Sequence, residues 1–147
     1  LIAAGGIATG RQMLAAMILG ADAVQIGSRF ICTPEASSHQ NFKEAILKAE
    51  EGDTQLQMKK TVPVRLLNNA FAQQIQAAEL RGASAEELKE ILGRARAKKG
   101  MFEGDLNEGE LEIGQVSSLI REIEPAAEVV AEIWNDFSQA LANPLNT

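Results

Sequence analysis

The first 28 residues constrain this chain more than any other stretch. Leu1-Ile2-Ala3-Ala4 is a short apolar run that meets Gly5-Gly6 at once, the pattern of a strand buried on both faces. Thr9 stands where an N-cap belongs. Gly10 to Leu19 then reads as a helix, with Met13, Ala16 and Met17 flanked by Leu14 and Ile18 on a wide buried face, closed by Gly20. Ala23-Val24-Gln25-Ile26 forms a second strand that ends in Gly27-Ser28. Strand, helix and strand in such close succession make a βαβ unit, so the two strands are expected to run parallel. Two parallel strands do not make a stable sheet alone; they need more strands, and helices on both faces. The missing strands are therefore expected upstream of Leu1. The chain reads as the C-terminal part of an α/β domain with a helical extension, and its start at Leu rather than Met fits that expectation.

Nothing later reads as another buried strand. Thr33-Pro34 predicts a capped helix start, with Phe42, Ala45, Ile46 and Ala49 at helical spacing until Gly52. Gln55 to Val64 reads as an extended connection, because Pro63 argues against a central strand. Leu67, Phe71, Ile75 and Ala78 mark a helix closed by Gly82. Ser84-x-x-Glu87 is a capping box ahead of Leu88, Ile91, Leu92 and Ala95, and that helix is expected to run to Gly100. Met101 to Ile113 is a Gly- and acid-rich loop, and a short helix is expected from Gln115 to Arg121. Pro125 opens the last helix, whose predicted face is Ala126, Val129, Val130, Ile133, Trp134, Phe137 and Leu141.

Composition narrows the classes of function. A chain of 147 residues that is 46% hydrophobic can bury one ordinary core but not two full domains. Fourteen basic against 20 acidic residues leave a net charge of −6, which argues against a nucleic-acid partner. One cysteine excludes a disulfide framework and a multi-cysteine metal site, and fits a reducing cytoplasm. No apolar run reaches the roughly 18 residues of a membrane span, and no basic n-region of a signal peptide opens the chain.

The chemistry is expected at the two strand ends. Both finish in small residues, Gly5-Gly6 and Gly27-Ser28. Glycine lets a backbone approach a ligand closely, and amide groups at a strand-to-helix turn suit a phosphate. In (β/α)8 barrels the loops after strands 7 and 8 are a frequent phosphate site, and two consecutive βα units with glycine at both carboxyl ends fit that arrangement. The competing reading is that the glycines only make tight turns. Gly5-Gly6-Ile7-Ala8-Thr9-Gly10 departs from the G-x-G-x-x-G spacing of a Rossmann dinucleotide site.

Ile2-Ala3-Ala4-Gly5-Gly6-Ile7-Ala8, followed by Gly20-Ala21-Asp22-Ala23-Val24-Gln25-Ile26-Gly27-Ser28-Arg29-Phe30, closely resembles the nitronate monooxygenase (2-nitropropane dioxygenase) family, which is related to the flavin-dependent enoyl-acyl-carrier-protein reductase II enzymes. The resemblance continues through Glu35 to Lys48, Pro63-Val64-Arg65-Leu66-Leu67-Asn68-Asn69, Gly104-Asp105, Gly109, Gly114-Gln115 and Leu119-Ile120. It implies an FMN-binding (β/α)8 TIM barrel followed by a helical domain. Residues 1–52 would be the end of the barrel (its last two βα units), 53–65 a connection, and 66–147 a helical extension or lid with the C-terminal helix. It also implies that the FMN phosphate lies at Gly5, Gly6, Gln25, Ile26, Gly27 and Ser28, where the family usually has Thr in place of Ser28. The catalytic histidine of these enzymes would lie upstream of Leu1, so no catalytic residue is expected in this chain.

Two enzyme activities follow from the resemblance. One is oxidation of alkyl nitronates with dioxygen; the alternative is reduction of an enoyl thioester with NAD(P)H as electron donor. A helical interaction module built from Leu66 to Leu141 is a distant third reading. The partners expected are small molecules, with no nucleic acid and no membrane. The apolar face ending at Phe137 suits a second copy of the chain, in a homo-oligomer, as readily as it suits the barrel.

Other residues have plainer expectations. His39 precedes a helix and is expected to make a local capping hydrogen bond. Cys32 reads as a small buried hydrophobe, and Arg94, Arg96, Lys98 and Lys99 as the basic last turns of a helix. Glu103 and Asp105 read as a solvated acidic pair and not as metal ligands. Glycines 100, 104, 109 and 114 suggest that Gly104 to Gln115 forms part of a substrate-covering lid, or a plain structural loop.

Overall fold

Parallel pairing does follow from the opening residues. In the computed structural model, which describes residues 1–144, β1 (Ile2–Ala4) pairs in parallel with β2 (Ala23–Gln25), setting Ile2 opposite Ala23 and Ala4 opposite Gln25. The last three residues of the segment 66–147 lie outside the described residues. Between the strands runs α1 (Gly10–Ile18), capped as predicted: Thr9 Oγ1 accepts from the Gln12 amide at 3.1 Å, and Gln12 Oε1 accepts from the Thr9 amide at 3.2 Å. Gly20, at φ 103°, closes it, with its amide donating to Met17 O and that of Ala21 to Ala16 O. Burial on both faces is not realised, since Ile2 is 64% exposed. Two strands alone present no second layer to cover it.

The chain divides into two compact units, one of Leu1–Ala36 with the segment from Glu122 onward, the other of Ser37–Arg121. The first holds β1, α1, β2, the short α2 (Ser28–Ile31) and the terminal α6 (Ala126–Ala142). Helix α6 buries Val129, Ile133, Phe137 and Ala140, a stripe at spacings of four, four and three. Leu14, Phe137 and Ala140 form a small core with Met13 and Met17 against it. Gly10 makes this packing feasible: a Cβ there would lie 2.1 Å from Phe137 N and 2.2 Å from Ile133 O. Val130, Trp134 and Leu141, predicted on the same face, are instead exposed. Seven apolar positions on one 17-residue helix span more arc than one partner helix covers.

The second unit departs further from expectation. The helix predicted from Thr33-Pro34 begins six residues later, as α3 (Gln40–Leu47) with His39 as N-cap. The extended connection is a hairpin, β3 (Thr54–Gln57) antiparallel to β4 (Val64–Leu67), with Thr54 opposite Leu67 and Gln57 opposite Val64. Pro63 sits just outside it, so the objection to a strand does not apply. Helix α4 (Ala70–Leu80) is capped by Asn69, whose Oδ1 accepts from the Ala72 amide at 2.8 Å. Helix α5 (Ala85–Leu92) is capped by Ser84, but Glu87 pairs with Arg81 instead of closing the box. Gly93, at φ 65°, ends α5 well before Gly100. Met58, Leu66, Phe71, Ala72, Ile75, Ala78, Ala83 and Leu88 make the core that hairpin and helices share.

Candidate functional site

The register places the two glycine turns side by side. Ala4 pairs with Gln25, so Gly5-Gly6 and Ile26-Gly27 leave adjacent parallel strands at the same, carboxyl end. Gly5 and Gly6 lie at φ 83° and 71°, two consecutive left-handed residues that glycine adopts without strain. A Cβ added at Gly5 or at Gly27 would meet no atom within 4 Å. Gly27 is the N-cap of α2 and Ser28 its first residue, which brings the hydroxyl to the same turn. Ile7 and Ala8 are buried immediately afterwards and anchor the first turn in the core. All six residues predicted from sequence are therefore gathered at two neighbouring strand ends, Gln25 as the last residue of β2 and the other five on the turns that follow.

Sequence reasoning missed the polar frame behind them. Arg29 is only 7% exposed. It donates to Glu124 Oε2 at 3.1 Å and to Glu132 Oε1 at 3.4 Å, and forms an ion pair with Glu132 Oε2. Burial, with the negative charges of Glu122 and Glu132 beside it, pushes the Glu124 carboxyl above its ordinary range against the pull of Arg29. Asp136 Oδ2 accepts from the Arg11 amide at 2.8 Å in the first turn of α1. The Glu35 carboxylate accepts from the Ala126 amide, at 3.2 and 3.1 Å, where α6 begins. A signal was available, for α6 carries acidic residues and no lysine or arginine.

The remaining candidates take local roles. His39 Nδ1 accepts from the Asn41 amide at 3.1 Å, the capping bond expected of it. Cys32 is buried as expected. Arg96 is not in the last turn of α5 but opens a separate helical stretch that runs into a π-helical turn (Lys98–Phe102): it donates to the carbonyls of Ile91, Leu92 and Glu108, pairs with Glu108, and lies 4.8 Å over the Phe71 ring. Asp105 accepts from the amides of Glu108 and Asn107 and pairs with Lys99, so its carboxyl is held below the usual range. Among the described residues no group of three or more histidines, cysteines or acids could hold a metal.

Gly100, Gly104 and Gly109 are held in close packing. A Cβ on Gly109 would lie 2.2 Å from Gly100 Cα, one on Gly100 2.6 Å from Glu110 O, and one on Gly104 2.3 Å from the His39 ring. The segment is also stitched to the hairpin: Leu67 N donates to Leu111 O and Ile113 N to Arg65 O, flanking a bridge between Leu66 and Glu112. Sequence reasoning also missed Glu110, 7% exposed, whose carboxyl is pushed up to about 7 chiefly by burial, with Glu112 adding and Arg96 opposing.

A parallel strand pair joined by a helix, with glycine turns at both carboxyl ends, makes this an α/β protein. Residues 1–136 match the sequence model of the nitronate monooxygenase family, and the chain belongs to that family. It is 47% identical to a probable nitronate monooxygenase of Staphylococcus haemolyticus over 53 residues, which are 36% of this chain and 15% of that protein. Among solved structures it resembles FabK of Thermotoga maritima, with a TM-score of 0.89 and 38% identity over 97% of this chain and 45% of that one. It also resembles a nitroalkane oxidase of Streptomyces ansochromogenes, with a TM-score of 0.74 and 29% identity over 96% of this chain and 40% of that one. The chain thus spans less than half the length of these structural relatives. Among the described residues no helix is long and apolar enough to cross a membrane.

Proposed function

We propose that this chain supplies the phosphate-binding end of an FMN-dependent (β/α)8 barrel oxidoreductase of the nitronate monooxygenase type, which oxidises alkyl nitronates with dioxygen. The observation that carries the reading is the register of β1 and β2, which brings Gly5-Gly6 and Gly27-Ser28 together at one strand end. The residues fit the group. The two turns offer backbone amides, one hydroxyl and no acidic side chain from Gly5 to Ala8 or from Gln25 to Ser28. The positions that a Cβ of Gly5 or Gly27 would take are open.

In this reading Gly5, Gly6 and Gly27 let the main chain approach the phosphate, and Ser28 donates its hydroxyl to a phosphate oxygen. Gln25 and Ile26 border the cofactor at the end of β2. Bound FMN would supply the electron acceptor for the nitronate. The chain's own part is to hold and orient that cofactor, and no proton-transfer role falls to any residue in it. Small molecules are the partners, in the cytoplasm.

The resemblance to FabK over nearly the whole chain favours a second reading, an FMN-dependent enoyl-acyl-carrier-protein reductase with NAD(P)H as electron donor. Anaerobic titration of the full-length protein, followed by flavin absorbance, separates the two. Bleaching by a nicotinamide dinucleotide supports the reductase. Retained colour that bleaches on adding an alkyl nitronate supports the monooxygenase. Absence of bound flavin overturns both.

A further inference from the structure

We propose that Arg29 is a positioning residue for the phosphate-binding turn: clamped by Glu124 and Glu132, it holds Gly27 and Ser28 in the geometry that an FMN phosphate requires. The inference rests on the FMN reading above and assigns a role to residues outside the site itself.

Helix α2 has four residues, and its N-cap Gly27 makes no side-chain capping bond. So short a helix has almost no stability of its own, and its direction is set by whatever its side chains are fastened to. Arg29, adjacent to Ser28, is the fastening. A guanidinium this buried stays in place only when its charge is met by well-placed acceptors. Glu124 and Glu132 meet it from two sides, and both of its terminal nitrogens are engaged. Two carboxylates also neutralise the cation, so it does not serve as the phosphate's counter-ion. Its effect on the ligand passes through the turn.

The same segment braces the other turn. Asp136, one helical turn beyond Glu132, takes the Arg11 amide of α1, while Gln12 Oε1 takes the amides of Ala8 at 2.7 Å and Thr9 at 3.2 Å. The start of α1 is thereby filled by the protein's own acceptors. A phosphate is left to the Gly5-Gly6 and Gly27-Ser28 turns, and the second of these depends on the Arg29 clamp. Helix α6 acts as a splint for both.

The test compares FMN with riboflavin, which lacks the phosphate, by fluorescence titration of the full-length apoprotein. Arg29→Met is expected to weaken FMN by about tenfold or more, the order carried by outer partners of a ligand site. Riboflavin affinity should not change, so the preference for FMN collapses. The charge swap Arg29→Glu with Glu132→Arg should restore part of it. Leu88→Ala, in the core of the unit that does not hold the clamp, should lower the melting temperature and leave the preference intact. If Arg29→Met does not fold, Glu132→Gln carries the test, since it leaves Arg29 one carboxylate. A folded clamp variant with the wild-type preference for FMN overturns the positioning role. Wild-type protein that binds no flavin, or binds both equally, overturns the FMN reading instead.

Discussion

Glu110 makes the stability of its unit depend on pH in a direction opposite to that of most carboxylates. Its side chain is buried, its amide donates to Arg96 O at 3.1 Å, and its backbone carbonyl lies against Gly100. Burial and the charge of Glu112 outweigh the attraction of Arg96 and push the carboxyl to about 7. The unfolded chain loses the same proton near the ordinary 4.5, so between the two values the folded state holds a proton that the unfolded state has released. The group's contribution is therefore intact below about pH 4.5, falls as pH rises toward 7, and stays lost above that. At 1.36 kcal/mol for each tenfold change in proton affinity, the ceiling is about 3 kcal/mol, a sizeable share of a typical domain's stability. Glu110→Gln mimics the protonated acid. Urea unfolding of the full-length protein and of this variant, followed by circular dichroism from pH 4.5 to 8, isolates the term as their difference. The two should nearly coincide at pH 4.5, with the variant more stable by about 2 to 3 kcal/mol at pH 8. Parallel curves across the range would refute the reasoning, since they would mean that the carboxyl ionises equally in both states.

Gly109→Ala drives a methyl into the Gly100 backbone at 2.2 Å and should destabilise the protein by more than about 3 kcal/mol, read as a fall in melting temperature. Ala95, exposed at φ 60°, is a non-glycine residue in the left-handed region, so Ala95→Gly should stabilise by about 1 kcal/mol in the same melt. Arg96→Met should lower the melting temperature markedly, because the carbonyls of Ile91, Leu92 and Glu108 lose a shared donor. An unchanged melt would show those bonds to be replaced by water.

What the sequence made legible was local. The Thr9 cap and the Gly20 stop follow from residues within a turn or so of one another, the parallel pair from one short strand–helix–strand run, and the structure has them as read. Predictions failed where a distant partner decides. Thr33-Pro34 looks like a helix start, but His39 caps α3, with its amide donating to Met101 O at 2.7 Å. The run after α5 has helical spacing to Gly100, but Gly93 ends the helix and Arg96 turns to carbonyls on both sides of the break. The hairpin was hidden because Thr54–Gln57 carries alternation over only four residues, too few to distinguish a strand from an extended loop.

The site divides along the same line. Its two turns were legible because Gly5-Gly6 and Gly27-Ser28 each end a short, largely apolar run, a local signal that needs no distant partner. Its supporting half was not, because Arg29 and Glu132 are 103 residues apart and either alone reads as an ordinary surface charge. Only folding brings the acidic face of α6 behind the turn that follows β2, and only there does the arginine's burial acquire a reason. A binding turn made of glycine is permissive by nature, since the freedom that lets it approach a phosphate also lets it relax away. Such a turn needs rigidity from outside itself, and in the role proposed for Arg29 the ion pairs to Glu124 and to Glu132 of α6 provide it.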